Sequence, residues 1–235
     1  ANVTAMTHYN SRSSLGNLEF LAGNQKKKLN VIKGNIEDPY FIDKHLRDTE
    51  IVFHLAALIG IPYSYISPIN YLRTNVEGTL NVLEAAKKYG IKMIHTSTSE
   101  TYGTAKYEPI DENHPMQGQS PYSASKISAD KIVESYYNSF DVDVAIVRPF
   151  NVYGPRQSAR AVIPTIIVQL LNDGKVYIGN VDPVRDFTFV EDTVNGFISA
   201  SLSKDISGKV INLGNGQAIS IKELIYKCSE KLKIK

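Results

Sequence analysis

Tryptophan is absent from the chain, and cysteine occurs once, at Cys228. A lone thiol excludes a disulfide framework and points to a reducing compartment. No apolar run approaches the roughly 18 residues that a membrane-spanning helix needs. The opening stretch, Ala1 to Asn10, has no charged segment followed by an apolar one, so it does not read as a signal peptide. An excess of one charge is lacking too: 26 basic side chains face 24 acidic ones, for a net charge of +2. That balance leaves no electrostatic footprint for nucleic acid, and the run Gln25 to Lys28 reads as a solvated loop. No His/Cys cluster has metal-ligand spacing, so no metal site is expected. Together these absences describe a soluble, cytoplasmic protein without nucleic-acid or membrane partners.

One further absence concerns glycine. No G-x-G-x-x-G turn occurs, although that turn opens folds that seat a pyrophosphate on a helix N-terminus. Gly214-Asn215-Gly216 is a decoy, because Ile219 stands where the third glycine belongs. Ser220 to Glu223 reads instead as a capping box for the last helix, which runs toward Lys235.

What is present is α/β alternation. Of the 235 residues, 43% are hydrophobic, enough for a sizeable core. Strand candidates are Val3–Met6, Leu29–Lys33, Ile51–Leu55, Met93–Ser97, Val142–Val147 and Val210–Leu213; several are near-continuous apolar runs, as in strands buried on both faces. Helix candidates between them are Pro39–Arg47, Tyr71–Tyr89, Pro121–Phe140 and Val162–Asn172. Leu72, Val76, Leu80, Leu83 and Ala86 mark one face of the second helix, and Gly90 marks its end. The alternation predicts a Rossmann-like, doubly wound parallel sheet. We expect residues 1–150 to form a dinucleotide-binding domain that lacks its first β-α unit. Residues 151–235 are expected to combine substrate-binding segments with the last sheet elements, as a small, incomplete region.

The stretch SPYSASK, Ser120 to Lys126, carries the chemistry. Ser120 is a natural N-cap and Pro121 a natural first helical residue. Tyr122 and Lys126 then lie one turn apart on one face. A nearby ammonium and the helix dipole are expected to lower the tyrosine pKa, so that the phenol can take a proton from a sugar hydroxyl. Upstream, His95 to Gly103 reads HTSTSETYG and follows a central strand, at the edge where open α/β sheets bind ligands. Thr98 can donate a hydrogen bond to the same substrate oxygen. Glu100, two residues on, falls on the same side if the strand pleat continues. Arg156, Arg160 and Arg185 offer guanidinium forks for a diphosphate, and Asn151 an amide for a phosphate or sugar oxygen. His54 reads as a core histidine, and Asp192 as a helix cap or a partner of Arg185.

Thr98, Tyr122 and Lys126 resemble the Ser/Thr-Tyr-Lys triad of the extended short-chain dehydrogenase/reductase, or NAD-dependent epimerase/dehydratase, family. Other segments resemble its landmarks in order. GNIED, with Asn35 and Ile36, resembles the strand end that contacts adenine. HLAAL, with Leu55, Ala56 and Ala57, resembles the small-residue turn under the cofactor, and TNVEGT, with Asn75, the helix behind it. RPFNVYGPRQ, with Pro149, Asn151, Val152 and Arg156, resembles the strand and loop that meet nicotinamide and sugar diphosphate. RDFTFVED, with Arg185, resembles the later substrate segment.

The resemblance implies NAD as the cofactor, with Ser97 beside it and Lys126 anchoring its ribose. Arg12, Ser11 and Ser13 leave NADP open, since the second-strand loop has no acid. It also implies a nucleotide-sugar substrate oxidised at C4, with Tyr122 as base. Dehydratases of the family typically read Thr-Asp-Glu, whereas this chain reads Thr98-Ser99-Glu100. Glu100 matches the C5 base, and Ser99 replaces the acid that protonates the departing C6 hydroxyl; Tyr63, Tyr65 and Tyr102 are candidate replacements. The segments Arg148 to Ile167 and His54 to Tyr65 resemble UDP- or GDP-N-acetylglucosamine 4,6-dehydratases of the legionaminic-acid type. A UDP-glucuronate decarboxylase, a 4-epimerase and a non-catalytic nucleotide-binding regulator are the alternatives. A homodimer through residues 71–89 and 121–140 is implied as well. The chain by itself is expected to be nearly inactive, because the glycine turn is missing.

Overall fold

The structure, a computed structural model, describes residues 1–234. It divides into two compact units, Ala1–Val147 with Ala200–Ile211, and Arg148–Ser199 with Asn212–Lys235. The first break falls three residues before the expected boundary at 150. Residues 200–211 return to the first unit.

In the first unit, β1 (Val3–His8) pairs in parallel with β2 (Leu29–Gly34), from Val3 opposite Leu29 to His8 opposite Gly34. A 3₁₀ turn and the one-turn α1 (Gly23–Lys26) lie between them. Next, α2 (Pro39–Leu46) starts where Asp38 accepts from the amides of Tyr40 and Phe41 at 3.0 and 3.2 Å. The second sheet has the order β3 (Ile51–His54), β4 (Lys92–Thr96), β5 (Val144–Pro149), β8 (Val210–Leu213). Its β3–β4 and β4–β5 pairs are parallel.

The expected helix over 71–89 is broken up. After α3 (Ile61–Ile66) and α4 (Pro68–Leu72), Arg73–Glu77 forms a single π turn before α5 (Gly78–Tyr89). Gly90 stops α5 in the left-handed conformation, as its position predicts. α6 runs Pro121–Phe140, as expected.

A shared apolar cluster joins the elements of this unit. Val82, Leu83 and Ala86 of α5 and Val133 of α6 pack with Met93, Val144 and Ile146 of the sheet, and with Ile36 and Ile42. Met6 of β1 packs on the same cluster. Gly78 belongs here for space: a Cβ would lie 2.8 Å from the Ile36 side chain. Burial on both faces holds for β4 and β5, but not for β3. Ile51 and Phe53 are 36% and 40% exposed, because β3 is an edge of its sheet.

In the second unit, β6 (Asn151–Tyr153) runs parallel to β7 (Val184–Phe189), which pairs antiparallel with β9 (Ala218–Ser220). These short strands were not foreseen; nor was α8 (Val190–Leu202). α7 (Val162–Asp173) and α9 (Ile221–Leu232) meet through Ile166, Leu170, Ile221 and Leu224. The Ser220–Glu223 capping box is present, and Lys233 ends α9 in the left-handed conformation. The helix therefore stops short of Lys235, which lies outside the described residues. The decoy turn at 214–216 is fastened by Asp186, which accepts from the amides of Asn215 and Gly216 at 2.9 and 2.8 Å.

Candidate active site

The first turn of α6 presents the tyrosine. The Ser120 hydroxyl accepts from the Ser123 amide at 3.0 Å, and the Ser123 hydroxyl receives the Ser120 amide at 2.9 Å. This reciprocal cap, with Pro121 at the first position, fixes the entry of the chain and the direction of Tyr122. Tyr122 is buried at the edge of the Tyr71 ring, with centroids 6.2 Å apart. Tyr71 is held in turn, its hydroxyl donating to the Gly60 carbonyl at 2.6 Å.

Thr98 stands beyond the end of β4. The strand pleat does not continue through Glu100, contrary to expectation. Instead, Ser99–Thr101 forms a 3₁₀ turn capped by Thr98, whose hydroxyl accepts from the Glu100 amide at 3.2 Å. The turn still keeps Thr98 and Glu100 within electrostatic reach of Tyr122: the Thr98 hydroxyl favours ionisation of the phenol, and the Glu100 charge opposes it. Thr98, Ser99 and Glu100 are all half-buried.

The electrostatics differ from the expected picture. Burial pushes the Tyr122 phenol up to about 12; the Thr98 hydrogen bond opposes the rise, while Glu100, Tyr71 and Asp130 add to it. Burial pulls Lys126 down to about 8, with Asp130 opposing. The Lys126 ammonium is turned to the Thr96 carbonyl, to which it donates at 2.6 Å. The lowering of the tyrosine that the i, i+4 spacing suggests is absent, because the two side chains share a face yet the ammonium is committed to the strand end.

Several candidate cofactor residues have their polar atoms engaged within the protein. Asn75 is buried in the π turn; its Oδ1 accepts from the Leu58 amide at 2.8 Å, and its Nδ2 donates to the Leu58 carbonyl and the Ser125 hydroxyl at 2.9 Å each. It clamps the turn after β3 to α6. Ser97 is buried and donates to Asp130 at 2.7 Å. The Ile36 side chain lies in the core, which leaves its backbone for a ligand. Asn35 forms a local turn, accepting from the Glu37 amide at 3.1 Å. Leu55 is exposed, and Ala56 and Ala57 are half-buried beside it. This turn has the small side chains that a dinucleotide's approach requires. Lys126 is a trivalent donor with the Thr96 carbonyl as one acceptor, so the residues fit such a group. His54 is a core histidine, as read: the Thr79 hydroxyl donates to the Asn75 carbonyl at 2.6 Å and therefore accepts from His54 Nε2 at 2.9 Å.

The remaining candidates lie in the second unit. Asn151 and Val152 are in β6, and Pro149 ends β5. Arg156, at φ 66, and Arg185 are exposed, and Arg185 donates to the Val184 carbonyl at 2.8 Å. Asp192 lies in the first turn of α8, where a carboxylate suits the helix dipole. Two residues of the first unit escaped the sequence reading, Tyr71 and Asp130. Asp130 had a signal, an acid one turn beyond the lysine; Tyr71 had none, since its contact with Tyr122 depends on how the elements pack.

The family model described as GDP-mannose 4,6 dehydratase matches residues 1–235. The human dTDP-D-glucose 4,6-dehydratase is 34% identical over 226 residues, covering 94% of this chain and 63% of the relative, so the chain spans less than two thirds of that protein. A putative UDP-glucose 4-epimerase of Methanocaldococcus jannaschii is 33% identical over 208 residues, covering 86% of this chain and 67% of the relative. Among solved structures, the UDP-N-acetylglucosamine 4-epimerase of Methanobrevibacter ruminantium, in complex with UDP-N-acetylmuramic acid, superposes with a TM-score of 0.89. It is 33% identical, covering 99% of this chain and 74% of that one. The dTDP-glucose 4,6-dehydratase DesIV of Streptomyces venezuelae, with NAD and TYD bound, gives 0.83 at 28% identity, covering 91% and 66%.

Proposed function

The chain belongs to the GDP-mannose 4,6-dehydratase family, and on that premise we propose that it is the catalytic part of a nucleotide-sugar 4,6-dehydratase acting on an N-acetylglucosamine-type substrate. The observation that carries the reading is the half-buried Glu100 whose charge acts on the Tyr122 phenol, beside the half-buried Thr98 that acts on the same phenol. A 4-epimerase needs the tyrosine and its partner, but no second carboxylate, because it removes no C5 proton.

We assign the cofactor as NAD, as bound in DesIV; Leu55, Ala56, Ala57 and Lys126 would hold it. When bound, it supplies an acceptor for the hydride from C4 and a later donor to C6. As its phenolate, Tyr122 takes the proton of the C4 hydroxyl, and Thr98 steadies that oxygen by donating to it. The resulting 4-keto group acidifies C5, and Glu100 removes the C5 proton. The C6 hydroxyl then leaves as water with a proton supplied near Ser99, and Glu100 finally returns its proton to C5. Of the three tyrosines considered for that supply, Tyr63 lies tilted against Tyr71, with centroids 6.2 Å apart, and so joins the Tyr122 cluster. Arg156 and Arg185 bind the diphosphate. Support for the amino sugar comes from the resemblance of residues 148–167 and from the 33% identity to an enzyme named for UDP-N-acetylglucosamine.

The test is product mass from the full-length protein given UDP-N-acetylglucosamine, GDP-N-acetylglucosamine and UDP-glucuronate. Loss of one water from an N-acetylglucosamine nucleotide is expected. Epimerisation without mass change, or loss of carbon dioxide from UDP-glucuronate, would replace the reading with one of its relatives.

A further inference from the structure

Residues 103–119 join the two segments that carry the chemistry, the turn with Thr98 and Glu100 and the cap that presents Tyr122. The connection contains neither helix nor strand, yet its two ends are bonded together. Gly103 opens it in the left-handed conformation, at φ 64, and a Cβ there would lie 2.9 Å from the Gln119 side chain and 3.0 Å from that of Gln117. Gln117 makes the closure. Its amide donates to the Thr101 carbonyl at 2.8 Å, and its Nε2 donates to the carbonyls of Tyr102 and Thr104 at 2.8 and 2.9 Å. The Gln119 side chain adds a bond to the Thr104 hydroxyl at 2.9 Å. The turn that carries Glu100 is thus tied to the returning end of the loop.

His114 lies at the centre of this loop and is 2% exposed. Its Nε2 is 2.9 Å from the Lys106 amide nitrogen, and its Nδ1 is 3.0 Å from the Pro115 carbonyl oxygen. An amide N–H only donates, and a carbonyl only accepts. Nε2 therefore offers a lone pair and Nδ1 a hydrogen, which makes the ring a neutral tautomer. A second hydrogen, on Nε2, would set two N–H groups against each other in a buried place. Tyr102 faces the ring from the end of the Glu100 turn, with centroids 5.4 Å apart, and Tyr107 faces it from the outgoing half of the loop, at 4.7 Å. The Asp111 carboxylate accepts from the Tyr107 hydroxyl at 2.7 Å, and the Asp111 carbonyl accepts from the His114 amide at 3.1 Å. His114 thereby ties the outgoing half, at Lys106, to the returning half, at Pro115, just before Gln117.

We propose that His114 is a positioning residue whose neutral ring fastens this loop and so sets the Glu100 turn against Tyr122. Its effect on catalysis rests on the reading of Glu100 and Tyr122 given above. Those two residues differ in what holds them. Tyr122 has the Ser120–Ser123 cap and the edge of the Tyr71 ring, whereas the end of the Glu100 turn is bonded to Gln117. Loosening the loop moves the carboxylate and leaves the phenol in place. C5 proton removal then suffers while C4 oxidation continues.

The experiment compares the full-length protein with its His114→Leu and His114→Gln variants, on the nucleotide sugar that the mass test identifies. Leucine leaves the Lys106 amide and the Pro115 carbonyl unmatched, while the glutamine side-chain oxygen can still accept from the Lys106 amide. In His114→Leu, water loss should slow by about ten-fold or more, the scale of a misplaced catalytic group, while formation of reduced nicotinamide changes by less than about two-fold. His114→Gln should recover most of the water loss. Equal loss of both steps, loss of neither, or no recovery with glutamine overturns the proposal. Should the leucine variant fail to fold, or no nucleotide sugar turn over, the unaltered protein decides. Proton–nitrogen correlations of the His114 ring are expected to show hydrogen on Nδ1 alone, and the Lys106 amide is expected to be protected from hydrogen exchange. Hydrogen on Nε2, or an unprotected Lys106 amide, overturns the assignment. Neither readout depends on turnover. If Glu100→Gln eliminated water normally, the functional reading would fall while the tautomer and the protected amide still judged the fastening.

Discussion

The two compact units carry their polar residues differently. In the first, Lys126, Asp130, His95, Ser97 and Asn75 are all buried and bonded to strand ends, turns or one another. In the second, Arg148 is buried as well, at 1% exposed, whereas Arg156, Arg160 and Arg185 are exposed and the Ile166–Leu170–Ile221–Leu224 core is small. Proton transfer needs groups held to within a fraction of an ångström, in a low-dielectric setting where a neighbour shifts a pKa. In the proposed reading, diphosphate recognition falls to the exposed guanidinium groups and proton transfer to the buried groups.

That contrast can be broken most severely at Tyr122. Removing its hydroxyl with Tyr122→Phe should lower kcat by about a thousand-fold, the range of a lost general base, while circular dichroism stays unchanged. Next comes Glu100→Gln, expected to cost about a hundred-fold or more in water loss. C4 oxidation should survive it, so a reduced nicotinamide signal should accumulate without C5 deuterium uptake from solvent. If the variant eliminates water normally, Glu100 is not the base.

The second unit should respond differently. Arg185→Ala should raise KM about ten-fold through a lost charged hydrogen bond, with kcat nearly unchanged. A fall in kcat alone would place Arg185 in the chemistry and blur the division.

The buried charges also predict a pH signature of stability. Lys126 has a folded-state pKa of about 8 against an ordinary 10.5. Between those values the unfolded chain holds the proton and the folded protein does not, so stability rises with pH by an amount on the order of 3 kcal/mol. Tyr122, raised to about 12, acts oppositely: its contribution is full below about 10 and is lost as pH rises through 12. Denaturant midpoints should therefore climb from pH 8 to about 10 and then fall as the pH approaches 12. The smallest effect belongs to the Ser120 cap, where Ser120→Ala should cost about 1 kcal/mol, read as a lowered melting temperature.

Much of the first unit was legible because its signals are local. Asp38-Pro39, Ser120-Pro121 and Gly90 fix helix ends through backbone chemistry that a few neighbouring residues decide, and α6 appears over the expected span. The second unit was harder to read. β6, β7 and β9 are three to six residues long and take their pairing from partners distant in the chain, which no local period announces. The π turn at Arg73–Glu77 was hidden as well, since its residues also suit a continuous helix.

By itself, the sequence determined the α/β alternation, the capped helix that presents Tyr122 and Lys126, and the nearness of Thr98 and Glu100 in the chain. Only the tertiary structure decided what those groups experience. It turned Lys126 to the Thr96 carbonyl, buried Tyr122 against Tyr71 and set Asp130 beside Ser97 and His95. The reason is physical: spacing along a helix fixes which residues share a face, whereas a pKa depends on the water removed and the charges brought near. Both follow from packing between β4 and α6.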